Sequence, residues 1–224
     1  MIIGINGKIG SGKNLVCTII QGLTAAKKHN IENPSFEWIK KYYINSIWEQ
    51  KAFAAKLKQI GSILSGIETE KFEDQDFKKT LMGSEWDYES EPMLVREFLQ
   101  KLGTEAIRNG LHTNVWINAL FADYKSSYVQ HPNIEYMRQK VYSNWIITDM
   151  RFPNEMEAIK ARHGITIRVI RPQFIINGKV IIKDLHPSET ALDDAKFDYE
   201  IINDGTIEEL IEKVREILIK QRVI

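Results

Sequence analysis

Cysteine is nearly absent from this chain: Cys17 stands alone among 224 residues. A single cysteine excludes an internal disulfide and points to a reducing compartment, with Cys17 read as a packing residue in the first helix. Histidine is scarce too, at five dispersed residues, so no structural metal is expected. No apolar run approaches the roughly 18 residues of a membrane span. The first expected strand starts at Met1 and leaves no charged-then-apolar leader, so a soluble cytoplasmic protein is expected. An excess of charge is also lacking, because 30 Lys and Arg balance 30 Asp and Glu. With no net field, neither nucleic acid polymers nor anionic membranes are expected partners, and any bound polyanion needs a local cluster. Internal repeats and low-complexity tracts are missing as well.

What is present is concentrated at the start. The apolar run Met1-Ile2-Ile3-Gly4-Ile5-Asn6 leads directly into Gly7-Lys8-Ile9-Gly10-Ser11-Gly12-Lys13. Beyond Lys13 the apolar residues Leu15, Val16, Ile19, Ile20 and Leu23 follow helical spacing. Strand, glycine-rich turn, lysine and helix in that order form a phosphate-binding loop. Glycines let successive N–H groups point into one cavity, and the helix N-terminus adds positive potential there. Gly7, Gly10, Ser11, Gly12, Lys13 and Asn14 are therefore candidate nucleotide-binding residues, with Lys13 reaching the terminal phosphates. One position departs from the pattern. Asn14 stands where Ser or Thr would ligate Mg²⁺, and Leu15 offers no replacement hydroxyl.

The rest of the chain reads as strands alternating with helices, which predicts a parallel sheet covered on both faces. Helices are expected at about 13–28, 54–64, 92–109, 113–129, 153–163 and 206–221. A short helix or cover is expected at 35–44, and strands at 47–53, 144–149, 165–171 and 197–202. The charged stretch 66–91 reads as a mobile or helical excursion, and 172–196 as a polar connection with a hairpin at Asn177-Gly178. In such sheets ligands sit at the carboxyl ends of strands. The loop at 7–13, Asp149 with Arg151, Arg171, and the turn Asn203-Asp204-Gly205 all follow expected strands. Four polar clusters are thus expected at one sheet edge.

Arg96, Gln100, Thr104 and Arg108 recur every four residues, and predict one polar stripe opposite Leu94, Val95, Phe98, Leu99 and Leu102. Arginine suits bidentate phosphate recognition and glutamine can read a base edge; a merely solvated helix face is the alternative. Asp149 can hold Mg²⁺ through water or accept a hydroxyl proton, and Arg151 can stabilise a transferring phosphoryl group. A strand-end ion pair capping the helix near Pro153 is the plainer reading. His186, Ser188 and Glu189 suit a polar lid better than a metal site.

These residues together resemble the phage-type deoxynucleoside monophosphate kinases, a branch of the P-loop kinases. The resemblance rests on Gly7–Asn14, Phe53-Ala54-Ala55-Lys56-Leu57-Lys58, Arg96–Thr104, Thr148-Asp149-Met150-Arg151 with Glu155, and Ile202-Asn203-Asp204-Gly205. Arg171-Pro172 and His186-Pro187-Ser188-Glu189 are similar in kind and order. It implies one α/β P-loop kinase domain over 1–224, three-layered, with a helical substrate-binding insertion at about 54–130 and a lid at about 172–196. It also implies transfer of the ATP γ-phosphate to a deoxynucleotide, with Mg²⁺. The loop would then hold ATP, and Asn203-Asp204-Gly205 would lie near adenine. Lys58, Arg96 and Gln100 would face the monophosphate, with Arg151, Arg171 and His186 around the transferring group. Members often carry Asp in place of Asn14, followed by Thr. Here Ser11 or water is left to complete the Mg²⁺ shell. Two other readings stay open: a P-loop kinase of a dephospho-coenzyme A or phosphomevalonate type substrate, and a catalytically weakened nucleotide-binding protein. The aromatic segment 110–143 (Trp116, Leu120, Phe121, Tyr124, Tyr128) reads as either core or the face of a homodimer.

Overall fold

A strand that is apolar on both faces needs cover on both, and the order of segments here supplies it. The computed structural model describes residues 1–87, 89–131, 134–172 and 190–224. The expected hairpin at Asn177-Gly178 and the lid candidates His186, Ser188 and Glu189 lie outside the described residues. The described residues form two compact units, Met1–Lys51 with Tyr124–Ile224, and Ala52–Asp123.

In the first unit, β1 (Ile2–Asn6), β2 (Trp48–Lys51), β5 (Asn144–Ile147), β6 (Ile165–Ile170) and β7 (Tyr199–Ile202) build a five-stranded sheet in the order β2-β5-β1-β6-β7. Every pairing in it is parallel. Helices α1 (Lys13–Lys28), α2 (Phe36–Tyr42) and α7 (Ile207–Lys220) pack with one face of the sheet. Ile3 and Ile5 of β1 join Val16, Ile19, Ile20 and Leu23 of α1 and Leu210, Val214 and Leu218 of α7 in one buried cluster. Alternation along the strand turns Gly4 to the opposite face, toward α6 (Pro153–Lys160). A Cβ on Gly4 would sit only 2.6 Å from Ile159 Cδ1, so α6 lies close against β1. The α/β class and the parallel sheet expected from the sequence are both present.

Caps account for several helix starts. Ser35 accepts the Trp38 N–H at 3.2 Å, and Thr206 and Glu209 form a reciprocal capping box at α7. Asn30, at φ 55, ends the first helical segment close to where the sequence places the break.

The sequence reading of 113–129 as one long helix is wrong. Helix α5 covers only Val115–Phe121, and an antiparallel hairpin follows, β3 (Ser126–His131) with β4 (Ile134–Tyr142). Ser126, Ser127, Tyr128 and Val129 are weak helix formers, and the Tyr and Val favour a pleated strand. Much of the aromatic surface considered for a dimer is used internally. Trp116 and Leu120 are buried, Phe121 meets Phe53 edge-on, and Tyr124 stacks on Tyr142; Tyr128 is exposed.

The second unit holds α3 (Ala55–Ser65) and α4 (Val95–Gln100), with α5. The charged stretch 66–91 is neither one helix nor structureless. Short 3₁₀ turns at Thr69–Glu73, Phe77–Lys79 and Ser84–Trp86 wrap a cluster of Phe72, Met82, Met93, Val95 and Phe98, with Phe72 fully buried. After α4 the helix widens into π turns over Lys101–Asn109. Those wider turns break the expected stripe, because residues four apart no longer stack once i→i+5 bonding begins. Arg108 is accordingly buried while Arg96, Gln100 and Thr104 stay half-buried. The widening spans Gly103, whose carbonyl accepts the Trp116 indole N–H at 2.8 Å. Of the apolar side, Val95 and Phe98 are buried and Leu99 and Leu102 pack against them, whereas Leu94 is exposed. Among the described residues, no helix is long and apolar enough to cross a membrane.

Cys17 is buried in the main cluster, and burial pushes its thiol from 9.0 up to about 12. A thiol is silent until it ionises. We expect native protein at pH 8 to resist an aromatic disulfide reagent and to release one thiol equivalent on unfolding. Because the folded value is the higher one, this contribution to stability is complete below about pH 9 and is lost as pH rises toward 12. Rapid labelling of the native chain at pH 8 would contradict this burial.

Candidate phosphate-binding site

The strand order sets the place. Chain connections leave β1 toward β2 on one side and later cross to β6 on the other, so β1 is where the winding reverses. Ligand crevices in open parallel sheets lie at the carboxyl ends of the strands at such a point. Here that end is Asn6 and the loop that follows it.

The loop turns sharply because two of its residues are glycines with left-handed backbone, Gly10 at φ 78 and Gly12 at φ 102. Gly12 is also crowded: a Cβ there would lie 2.5 Å from Asn203 Nδ2. Gly12 begins α1 without any side-chain cap, and no acidic residue occupies the first turn. No side chain closes that turn, in contrast to the capping box of α7, and the positive end of the helix faces the loop. Lys13, half-buried, donates from Nζ to the carbonyls of Gly7 at 2.6 Å and Lys8 at 2.9 Å. Its charge is thus held against the loop that would receive phosphate.

Hydrogen bonds join this loop to the ends of the neighbouring strands. Asn6 Nδ2 donates to the Met150 carbonyl at 2.8 Å, which ties β1 to the Asp149–Arg151 segment after β5. Asn203 Nδ2 donates to the Ser11 carbonyl at 2.9 Å, and its backbone N–H donates to Ile170 O at 2.7 Å. The second of these bonds sets the 203–205 turn beside the end of β6, where exposed Arg171 follows. Loop, Asp149 with Arg151, Arg171 and Asn203 therefore share the carboxyl edge of one sheet. Asp149 and Arg151 are both half-buried.

Several side chains have duties that the sequence did not reveal. Glu155, only 2% exposed, accepts the backbone N–H groups of Arg151 at 2.7 Å and Phe152 at 3.1 Å. It caps α6 and fixes the backbone that carries Arg151; Pro at the first helical position and Glu at the third are the signals. Asn203 braces the loop through its side chain, and Asp204 pairs with Lys213 at 3.3 Å. Ser11 is buried, and its Oγ has no hydrogen-bond partner. That hydroxyl packs against Gly7, where a Cβ would meet it at 2.5 Å. Asn14, by contrast, is exposed. Asn6 and Lys8 were also missed. A polar residue ending an apolar strand was the available signal for Asn6.

The remaining candidates belong to the second unit. Lys58 Nζ sits 2.5 Å from Glu73 Oε1, and Arg96 donates to Gln75 Oε1 at 3.4 Å. Gln100 closes α4, one residue before the π turns. His186 lies outside the described residues. A separate cavity of about 350 Å³, lined by Leu23, Lys27, Ile31 and Arg215 among others, lies at the far end of α1. At 1.5 Å per residue that is roughly 20 Å along the helix from Lys13, so it is not the phosphate site.

Comparison with known proteins identifies the family. A deoxynucleotide monophosphate kinase of Enterobacteria phage T4 is 31% identical over 124 residues, which cover 55% of this chain and 45% of that protein. The deoxynucleotide monophosphate kinase of Escherichia phage RB69 is 27% identical over 124 residues, covering 55% and 44%. This chain thus spans about half the length of the two phage relatives. A protein of Acanthamoeba polyphaga mimivirus, provisionally given the same name, is 26% identical over 222 residues, covering 96% of this chain and 94% of its own. The family profile described as deoxynucleotide monophosphate kinase matches residues 63–214, more than half of the chain. This chain belongs to the deoxynucleotide monophosphate kinase family.

Proposed function

We propose that this protein transfers the γ-phosphate of ATP to the 5′-phosphate of a deoxynucleoside monophosphate, giving a deoxynucleoside diphosphate and ADP. The observation that carries this reading is the uncapped start of α1, with Lys13 held against the loop, at the sheet's point of reversal. Family membership supplies the substrate class.

The chain's own residues have clear work in such a reaction. Backbone N–H groups of the loop and of the first turn of α1, other than the Ser11 N–H that donates to Lys8 O, bind β- and γ-oxygens, and Lys13 exchanges its carbonyl partners for phosphate oxygens of higher charge. Arg151 and Arg171 neutralise charge that spreads over the transferring group. Asp149, half-buried at the strand end, accepts hydrogen bonds from water or a substrate hydroxyl. Recognition of the monophosphate is given to Lys58 and Arg96, and of the base to Gln100. The Asn203-Asp204-Gly205 turn, braced on the loop, is the candidate neighbour of adenine.

Bound Mg²⁺ would supply positive charge that offsets that of the phosphates. The donors present fit a loosely held ion: among the described residues, no three of His, Cys, Asp and Glu gather into a cluster. The Asn14 carboxamide oxygen and the Asp149 carboxylate are the protein groups we assign to it, with phosphate and water completing the shell. A nucleotide-rich, reducing cytoplasm suits both the substrate and the lone buried thiol.

A coupled assay of ADP release with Mg-ATP against dGMP, dTMP, dCMP, dAMP and their ribose counterparts tests this directly. Turnover with one or more deoxynucleotides is expected. Binding of ATP with no turnover on any monophosphate would favour the weakened nucleotide binder that Asn14-Leu15 keeps in view. Lys13→Ala should lower turnover by about a thousandfold. Its thermal midpoint should move only a few degrees, since two hydrogen bonds of about 1 kcal/mol each are lost. Near-normal turnover in Lys13→Ala would defeat the phosphate-loop reading. Gly12→Ala should cost about 1–3 kcal/mol in denaturant unfolding, from left-handed strain and the clash with Asn203. Adding Asn203→Ala should recover part of that loss; no recovery would mean that the clash is absent.

A further inference from the structure

Lys8 is a second lysine in the phosphate loop, and its Nζ lies 2.6 Å from Asp193 Oδ1. Its backbone carbonyl accepts both Lys13 Nζ at 2.9 Å and Ser11 N–H at 3.2 Å. The Lys8 side chain therefore starts from the wall of the same cavity. Asp193 belongs to the segment that leads into β7, and that segment is anchored without the ion pair. Leu192 is 2% exposed, and the Arg168 guanidinium donates to the carbonyls of Leu192 and Asp193. The same guanidinium lies over the Phe197 ring, 4.3 Å from its centroid. Both partners of the pair are exposed, Lys8 at 43% and Asp193 at 52%, a setting in which an ion pair adds little to folding. Its larger consequence is electrostatic. A carboxylate paired with Lys8 beside the loop cancels a cation that phosphates could otherwise use.

We propose that Asp193 is a positioning residue that sets nucleotide affinity, by competing with the phosphates of ATP and ADP for Lys8. This rests on the reading of the loop as an ATP site. When phosphates bind, Lys8 turns from Asp193 to them; when ADP leaves, Asp193 takes Lys8 back, which speeds release. Removing the carboxylate should tighten the grip on both nucleotides and slow turnover at saturation.

The test is calorimetric titration of MgATP and MgADP into the parent chain, Asp193→Asn, Lys8→Met and the double variant, at low and high salt. Asp193→Asn should bind both nucleotides about three- to tenfold tighter at low salt, with the gain shrinking as salt rises. In steady state its KM for ATP should fall while kcat does not rise. Lys8→Met should bind more weakly than the parent, and Asp193→Asn should change nothing in the Lys8→Met background. Unchanged or weaker binding by Asp193→Asn overturns the proposal, as does a gain that survives Lys8→Met. A lowered melting point with weakened binding would show a structural tether instead. If the parent chain binds no ATP, the loop reading fails and the proposal falls with it.

Discussion

The tight reversal between β1 and α1 is the constraint on which the rest of the structure depends. It requires left-handed backbone at Gly10 and Gly12, and it leaves the first turn of α1 without a cap. A glycine in place of a side-chain cap costs roughly a few tenths of a kcal/mol. Burial offsets that cost, because nine of the sixteen residues of α1 are buried against the sheet, α2 and α7. The helix can therefore start at a glycine without a side-chain cap and still not fray. Its opposite end and its apolar face supply the stability that its first turn gives up.

Held charge is the second theme. Lys13 rests on two loop carbonyls, Lys8 on Asp193, Lys58 on Glu73 and Arg96 on Gln75. Each cation is thereby held in a set orientation; on the proposed function, that would lower the entropy lost when phosphate binds. The partners differ in strength. Neutral carbonyls and amides yield readily to a phosphate, whereas a carboxylate competes with it. On the function proposed above, a carboxylate partner would weaken the grip on phosphate and ease the release of ADP. The neutral composition of the chain fits this picture, since local cations do the work that a global field would do poorly.

Local patterns with long periods were legible in the sequence. Helix α1 follows the apolar spacing from Leu15 to Leu23, and the buried strand at Asn144–Ile147 follows from its apolar run. The parallel sheet followed from alternation of strands and helices, and with it the gathering of four polar clusters at one edge. What failed depended on tertiary detail. Tyr128 and Val129 sit in a strand because the chain pairs with 134–142, a partner that helical periodicity cannot reveal. The Arg96–Arg108 stripe assumed an unbroken α-helix, and the π turns at 101–109 undid it. The stretch 66–91 reads as charged, yet Phe72 within it is the centre of a small core. At the site, residue types were readable and their bonds were not. Nothing local says that Asn203 braces the loop, that Glu155 caps α6, or that the Ser11 hydroxyl is buried against Gly7.

Phosphorus NMR of one reaction mixture, containing the protein, Mg-ATP and the preferred deoxynucleotide, tests the central claim most directly. The account predicts that ADP and the deoxynucleoside diphosphate appear in equal amounts, with inorganic phosphate far slower. Inorganic phosphate in place of the diphosphate would make the loop part of a nucleotide hydrolase, and an unchanged spectrum with every deoxynucleotide would contradict a phosphotransferase altogether.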